Sequence, residues 1–159
     1  MTVFLSSFVN RLDKKGRVSV PAPFRAALGP DATGIVVFHS LQLDALDGCS
    51  IEHLELLSRS LETQDLSSDT YELIETTIFG GSVQIPFDGE GRITLPQHLA
   101  SAVGITDEVA FVGRRKTFQV WNPAKLAAHE AAARSAARAR DISLSKIIAA
   151  ASKLADEGR

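Results

Sequence analysis

Apolar and small polar residues mix over residues 2 to 9 as in a strand, and a turn at Asp13 to Gly16 leads into a second extended run, Val18-Ser19-Val20. Pro21 ends that run. Between Pro23 and Leu28 there is room for one or two helical turns, with Gly29 at the stop and Pro30 beyond it. Residues 35 to 39, IVVFH, read as a buried strand. The same order then returns. SVQIPF is an extended run, Asp88 to Gly91 a turn, Ile93 to Leu95 a strand ended by Pro96, and a short helix runs to Val103 and Gly104. VAFVG at 109 to 113 and TFQVW at 117 to 121 follow as a strand and its hairpin return.

Between the two copies the apolar spacing lengthens to three and four residues. Ser50 can cap a helix whose Ile51, Leu54, Leu57 and Leu61 fall on one side. Asp69 and Glu72 have capping-box spacing for a second helix with Leu66, Leu73, Ile74 and Ile78 as its apolar set, and Gly80-Gly81 stops it. After the second copy, Asn122-Pro123 makes a helix start. Twelve alanines between 124 and 151 give high helix propensity and little bulk to bury, so residues 124 to 140 read as a solvated or loosely docked helix. A last segment, with Leu144, Ile147, Ile148, Ala151, Leu154 and Ala155, carries a full apolar stripe that should pack on this subunit or a neighbour.

Aligned without a gap, DKKGRVSVPAPFRAALG (13 to 29) and DGEGRITLPQHLASAVG (88 to 104) share Asp13/Asp88, Gly16/Gly91, Arg17/Arg92, Pro21/Pro96, Ala27/Ala102 and Gly29/Gly104. Average composition gives roughly one chance identity over this length. Gly16 and Gly91 can take positive φ at little steric cost, and the aspartate three positions earlier can accept hydrogen bonds from the turn's N–H groups. Arg17 and Arg92 are then held at the start of a strand. Each can pair with its own aspartate as a brace for the fold, which makes Asp13, Gly16, Asp88, Gly91 and Arg92 structural motif residues. Neither copy alone supplies enough apolar residues for an independent domain, so the two should share one core. The fold class expected is mainly β with helices (α+β), a pseudo-twofold β-barrel.

Composition narrows the function. Of 159 residues, 45% are apolar and 23% charged, as in a soluble globular protein. Apolar runs break well before about 18 residues, and no basic segment precedes the apolar part of the start, so neither secretion nor a membrane is expected. Cys49 is the only cysteine, which suits the cytoplasm. No histidine motif accompanies it as a nucleophile, and it reads as a buried or incidental thiol.

The net charge of −2 does not suggest a nucleic-acid partner, but its distribution does. Residues 11 to 25 hold Arg11, Lys14, Lys15, Arg17 and Arg25 against Asp13 alone, a local +4. Residues 44 to 75 hold nine acids against Arg59, a local −8. With a Debye length of about 8 Å at physiological salt, a phosphate near the first patch feels that patch more than the total. One carboxylate cannot neutralise five cations, so guanidinium and ammonium groups remain for phosphate or base edges.

Other signals are weaker. Arg114-Arg115-Lys116 is a basic hairpin tip, read as solvated charge or as a secondary phosphate or subunit contact. Trp121 belongs in the core. His39, His53, His98 and His129 show no metal-ligand spacing, and the P-loop pattern is absent, so no metal, no cofactor and no enzymatic activity are expected.

With its two D-x-x-x-R motifs, Asp13 to Arg17 and Asp88 to Arg92, together with FGGSVQIPFDGEGRITLP and FQVWNPAKL, the chain resembles the MraZ family from about residue 2 to residue 130. It is similar, more distantly, to the DNA-binding module of AbrB and MazE proteins. The resemblance implies a swapped-hairpin (double-psi type) β-barrel over 1–122, with repeat one at about 2–50, inserted helices at about 51–79 and repeat two at about 80–122. Residues 123–159 would be a C-terminal helical extension. It further implies a ring-like homo-oligomer in the cytoplasm, associated with the nucleoid, that regulates the cell-division and cell-wall gene cluster by binding short tandem direct repeats in double-stranded DNA. AbrB-type modules place basic residues on DNA from the positions matching Arg11, Arg17 and Arg25, and Lys14 and Lys15 join them by proximity. In the second copy the matches are Pro86 for Arg11, Ala100 for Arg25, and Gly89 and Glu90 for the lysines, so the first copy is expected to read DNA and the second to be architectural. The alternative is an antitoxin-like or scaffold protein whose main partner is another protein, docking on the acidic 44 to 75 region or the C-terminal helix.

Overall fold

The computed structural model describes residues 3–158; the first residue of the strand expected at 2 to 9 and the two chain ends lie outside them. The chain divides into two compact units, Met1–Leu126 and Ala127–Arg159. In the first, β1 (Ser7–Arg11), β2 (Arg17–Ser19), α1 (Ala22–Leu28), β3 (Gly34–His39) and β4 (Leu46–Cys49) form one series. The second series repeats it as β5 (Val83–Pro86), β6 (Arg92–Thr94), α4 (Gln97–Ala102), β7 (Glu108–Gly113) and β8 (Phe118–Trp121). Between them lie α2 (Ile51–Glu62), α3 (Ser68–Ile74) and a π-helical turn, Glu75–Phe79. The class is α+β, as expected.

Six strands form an antiparallel sheet in the order β1-β7-β8-β4-β3-β5, and β2 pairs with β6 in a separate ribbon. That order is unchanged when the repeats are exchanged. β1 of repeat one pairs with β7 of repeat two, while β5 of repeat two pairs with β3 of repeat one. The first strand of each repeat therefore finds its hydrogen-bonded partner only in the other repeat, which is the physical reason a duplicated sequence yields one core.

The core confirms this sharing. Val18, Val20, Phe24 and Val37 from repeat one and Ile93, Leu95, Leu99 and Phe111 from repeat two belong to one buried cluster. Phe24 on α1 stands at its centre, edge-on to Phe4 at 5.4 Å and Phe8 at 5.6 Å and tilted against Phe118 at 5.4 Å. Such aromatic pairs add about 0.5–1.5 kcal/mol each beyond the area they bury. Trp121 is buried as expected, in a smaller cluster with Ala45, Ala110 and Leu126.

Most expected boundaries fall within a residue or two of the observed ones. Ser50 caps α2, its Oγ accepting from the His53 N–H at 3.1 Å. The second inserted helix starts differently. Ser67, not Asp69, is its cap, with Oγ accepting from the Thr70 N–H at 3.2 Å, and Asp69 sits in the first turn, where its charge favours the helix dipole. β4, with the sequence LDGC, carries no local strand pattern.

Residues after the second repeat are helical: α5 (Pro123–Ala139) and α6 (Leu144–Glu157). Asn122 caps α5, its Oδ1 accepting from the Ala124 and Lys125 N–H groups. In the second unit the stripe of α6 is open, with Leu144, Ile147, Ile148 and Leu154 between 57% and 73% exposed.

Candidate nucleic-acid interface

The two turns have the same construction. In repeat one, Asp13 Oδ1 accepts from the Lys15 N–H at 2.9 Å and the Arg17 N–H at 2.8 Å, while Oδ2 takes Arg17 Nε at 2.7 Å. In repeat two, Asp88 Oδ1 accepts from the Glu90 N–H at 2.8 Å and the Arg92 N–H at 3.0 Å, and Oδ2 takes Arg92 Nε at 2.8 Å. Gly16 at φ 80° and Gly91 at φ 75° supply the left-handed step that lets each chain fold back on its aspartate. Hydrogen bonds to the ionised form hold both carboxyls below the usual carboxylate range, chiefly those from the Arg17 and Arg92 backbone N–H groups. The Asp88 hydrogen bond in turn raises the pKa of Arg92.

From these turns the chain enters the ribbon. Arg17 lies opposite Thr94, Val18 opposite Ile93 and Ser19 opposite Arg92. Val18 and Ile93 are buried at 1% exposure, so strand alternation turns Arg17, Ser19, Arg92 and Thr94 to the outer face. The ribbon is tied at both ends across the repeats. The Val20 N–H donates to the Gly91 carbonyl at 3.2 Å, and the Leu95 N–H to the Gly16 carbonyl at 2.8 Å. Each arginine spends Nε on its aspartate, which fixes the plane of the guanidinium and directs the Nη groups.

The cations predicted from the sequence distribute unevenly over this frame. Lys14 and Lys15 are exposed at the tip of the first turn, and Arg17 begins β2. Arg11, also exposed, ends β1 opposite Glu108, a carboxylate in the cross-strand position. Arg25, half-buried on α1, crosses to the second repeat and donates from Nη1 to the Gly91 carbonyl at 3.3 Å. Arg92 has a second place beyond the structural one its sequence motif predicts. It braces Asp88, and it also shares the ribbon's outer face with Arg17, although Glu90 lies 3.8 Å from its Nη2. Ser19 and Thr94 join that face without having been singled out. The signal for all three was the two-residue alternation around Val18 and Ile93.

The chain is similar in sequence to known proteins over most of its length. The chain is 42% identical over 146 residues to a protein of Rickettsia bellii named "Transcriptional regulator MraZ", covering 91% of this chain and 97% of that one. The chain belongs to the MraZ family. A homologue of the same name from Rickettsia felis is 46% identical over 124 residues, 77% of this chain and 83% of its own. Another from Rickettsia akari is 43% identical over 130 residues, 81% and 87% of the two chains. The family model described as "MraZ protein, putative antitoxin-like" matches residues 78–143, from the end of the π turn through β8 and α5. The MraZ resemblance read from the two D-x-x-x-R motifs is thereby established.

Other groups take structural places. Arg114 of the basic hairpin tip donates from Nη1 to Gln119 Oε1 at 2.9 Å, which also accepts from Trp121 Nε1 at 3.0 Å. Cys49 is buried, and desolvation, with Asp47 nearby, pushes its thiol up to about 12. Among the described residues no group of three or more His, Cys, Asp or Glu side chains is placed to hold a metal ion, and no helix is long and apolar enough to cross a membrane.

Proposed function

We propose that this chain is a sequence-specific DNA-binding transcriptional regulator, acting as a homo-oligomer on short tandem direct repeats upstream of the cell-division and cell-wall gene cluster. The observation that carries the reading is the two-stranded ribbon with Arg17, Ser19, Arg92 and Thr94 on its outer face and Lys14 and Lys15 at one end. The major groove of B-DNA admits a ribbon of this width, and arginine can pair bidentately with guanine there. Lysines at the turn tip suit phosphate, which fixes register without reading sequence. The names of the Rickettsia relatives support the regulatory role. Arg11, Lys14, Lys15, Arg17 and Arg25 are the contacts we assign, with Asp13, Gly16, Asp88, Gly91 and Arg92 shaping the frame. We read residues 1–122 as a swapped-hairpin, double-psi-type barrel, supported by the exchange of first strands between repeats, and 123–159 as a helical extension. The protein would act in the cytoplasm, at the nucleoid.

Affinity arithmetic calls for assembly. Four or five phosphate contacts per subunit give salt-sensitive binding of the non-specific class, roughly 10⁻⁴ to 10⁻⁶ M. Linking subunits raises apparent affinity by about 10² to 10⁴ where operator spacing matches subunit spacing. The acidic helices α2 and α3 would be repelled by phosphate and belong away from the DNA. The test is an anisotropy titration of the full chain, across salt, on a duplex from upstream of its own gene and on a scrambled duplex, beside mass measurement of free protein and complex. Preference for the first duplex with a steep salt slope is expected. Equal affinity for both, or recovery of a stoichiometric protein partner without salt-dependent DNA binding, would overturn it.

A further inference from the structure

Arg25 and Gly91 stand 66 positions apart in the chain, yet the guanidinium of one rests on the backbone of the other. A Cβ on Gly91 would overlap that guanidinium, with Cζ only 2.7 Å and Nε 3.1 Å away. The absent side chain is therefore the seat on which Arg25 lies, and the Gly91 carbonyl accepts its Nη1 at 3.3 Å. Gly16 has the same backbone conformation but no such occupant. Its would-be Cβ meets the Leu95 carbonyl at 3.4 Å and the Thr94 methyl at 3.8 Å, and the repeat-two residue matching Arg25 is the buried Ala100. The two turns agree in every aspartate hydrogen bond and differ in what lies across them.

We propose that Gly91 is a positioning residue for DNA: by leaving its Cβ position empty and offering its carbonyl, it seats Arg25 of repeat one beside the ribbon so that the remaining guanidinium N–H groups face phosphate. This rests on the DNA-binding reading above and gives the second repeat a direct part in it. Arginine carries five N–H donors in a rigid fork, so one anchored N–H orients the others before the ligand arrives. Preorganisation of this kind lowers the ordering cost of binding. Because the clashing atoms are the end of a flexible side chain, a methyl at 91 would displace Arg25 rather than unfold the turn. The φ strain that alanine adds at 91 it also adds at 16.

The test is a thermodynamic cycle of wild type, Arg25→Ala, Gly91→Ala and the double variant, titrated on the duplex from upstream of the protein's own gene across salt, with thermal melts of Gly91→Ala and Gly16→Ala side by side. The melts should shift alike. Arg25→Ala and Gly91→Ala should each weaken binding roughly tenfold, and the double variant should bind like Arg25→Ala. Binding by Gly91→Ala equal to wild type, or a double variant weakened by the product of the single effects, overturns the proposal. Arg25→Lys leaves Gly91 untouched and keeps the charge but not the fork; it should lose affinity too, and wild-type binding by it overturns the proposal even if Gly91→Ala does not fold. If Arg17→Ala loses binding and Arg25→Ala does not, the seat falls and the DNA reading stands. If wild type itself shows no salt-dependent binding, the DNA reading falls.

Discussion

Arg17 lies directly opposite Thr94 in the β2–β6 ribbon, so the first turn of one repeat is held in register by the second strand of the other. The arrangement gives the arginine two supports: Asp13 fixes its Nε, and the ribbon fixes its Cα. It is half-buried, and its flanking Lys14 and Lys15 carry the same sign, whereas Arg92 has Glu90 beside it. Arg17→Ala is expected to leave the oligomer intact by mass measurement and to lower promoter affinity at least tenfold, the order of one good bidentate base pair or phosphate contact. The salt slope should fall by about one. Unchanged binding in a gel-shift titration would remove Arg17 from the interface.

The paired turns also carry a pH dependence. Asp13 and Asp88 have folded-state pKa values below their unfolded ones, because the charged form accepts the turn's N–H groups. A depressed carboxyl contributes stability that is present above the unfolded pKa and is lost as pH falls through the folded one. The window thus opens near pH 4, the ordinary aspartate value of about 3.9, and extends downward. Melting temperature followed from pH 6 to pH 3 should fall for the wild type and fall less steeply for Asp13→Asn/Asp88→Asn, which starts lower. A double variant as acid-sensitive as wild type would place the acid response elsewhere.

Much of the fold was legible because each repeat announces its own elements. Val18 and Ile93 sit between polar neighbours, the prolines at 21 and 96 end their strands, and Ser50 and Asn122 cap their helices through the expected hydrogen bonds. β4 was hidden for a physical reason. Its sequence, LDGC, looks like a turn, but a Cβ on Gly48 would collide with the ring of Phe118, its Cδ2 only 2.8 Å away. The glycine is there to admit an aromatic ring from β8, a contact across 70 residues that local pattern does not encode. The site shows the same division. The five cations could be read as a cluster, but the seat of Arg25 on Gly91 and the sharing of one face by Arg17 and Arg92 depend on pairings between repeats. The one local trace of that seat was the replacement of Arg25 by Ala100.

Phe24 tests the shared core. It is fully buried and touches rings from β1's approach, β7 and β8, so both repeats lose contacts if it is cut back. Phe24→Ala should cost about 3–5 kcal/mol, the range for a buried phenylalanine whose cavity cannot collapse. Phe24→Leu, which copies Leu99 at the matching place in repeat two, should cost distinctly less because most of the volume is kept. Urea titrations with equal m-values would read the difference as midpoint shifts. Equal midpoints for the two variants would mean that the five-ring cluster is not a determinant of stability.

Cys49 gives a probe of the packing between the sheet and the inserted helices. It lies at the end of β4 in a cluster with Val36, Phe38 and Ile78, and with Leu54, Leu57 and Ile74 packed against it. Burial, with the Asp47 charge nearby, pushes the thiol up to about 12, so at pH 8 almost none is thiolate. Reaction with an aromatic disulfide reagent at pH 8 should therefore be slow in the native protein and fast in denaturant, where the thiol returns to an ordinary pKa of about 8.5. Rapid native modification would show that α2 and α3 lift away from the sheet, since the thiolate forms only when water reaches it.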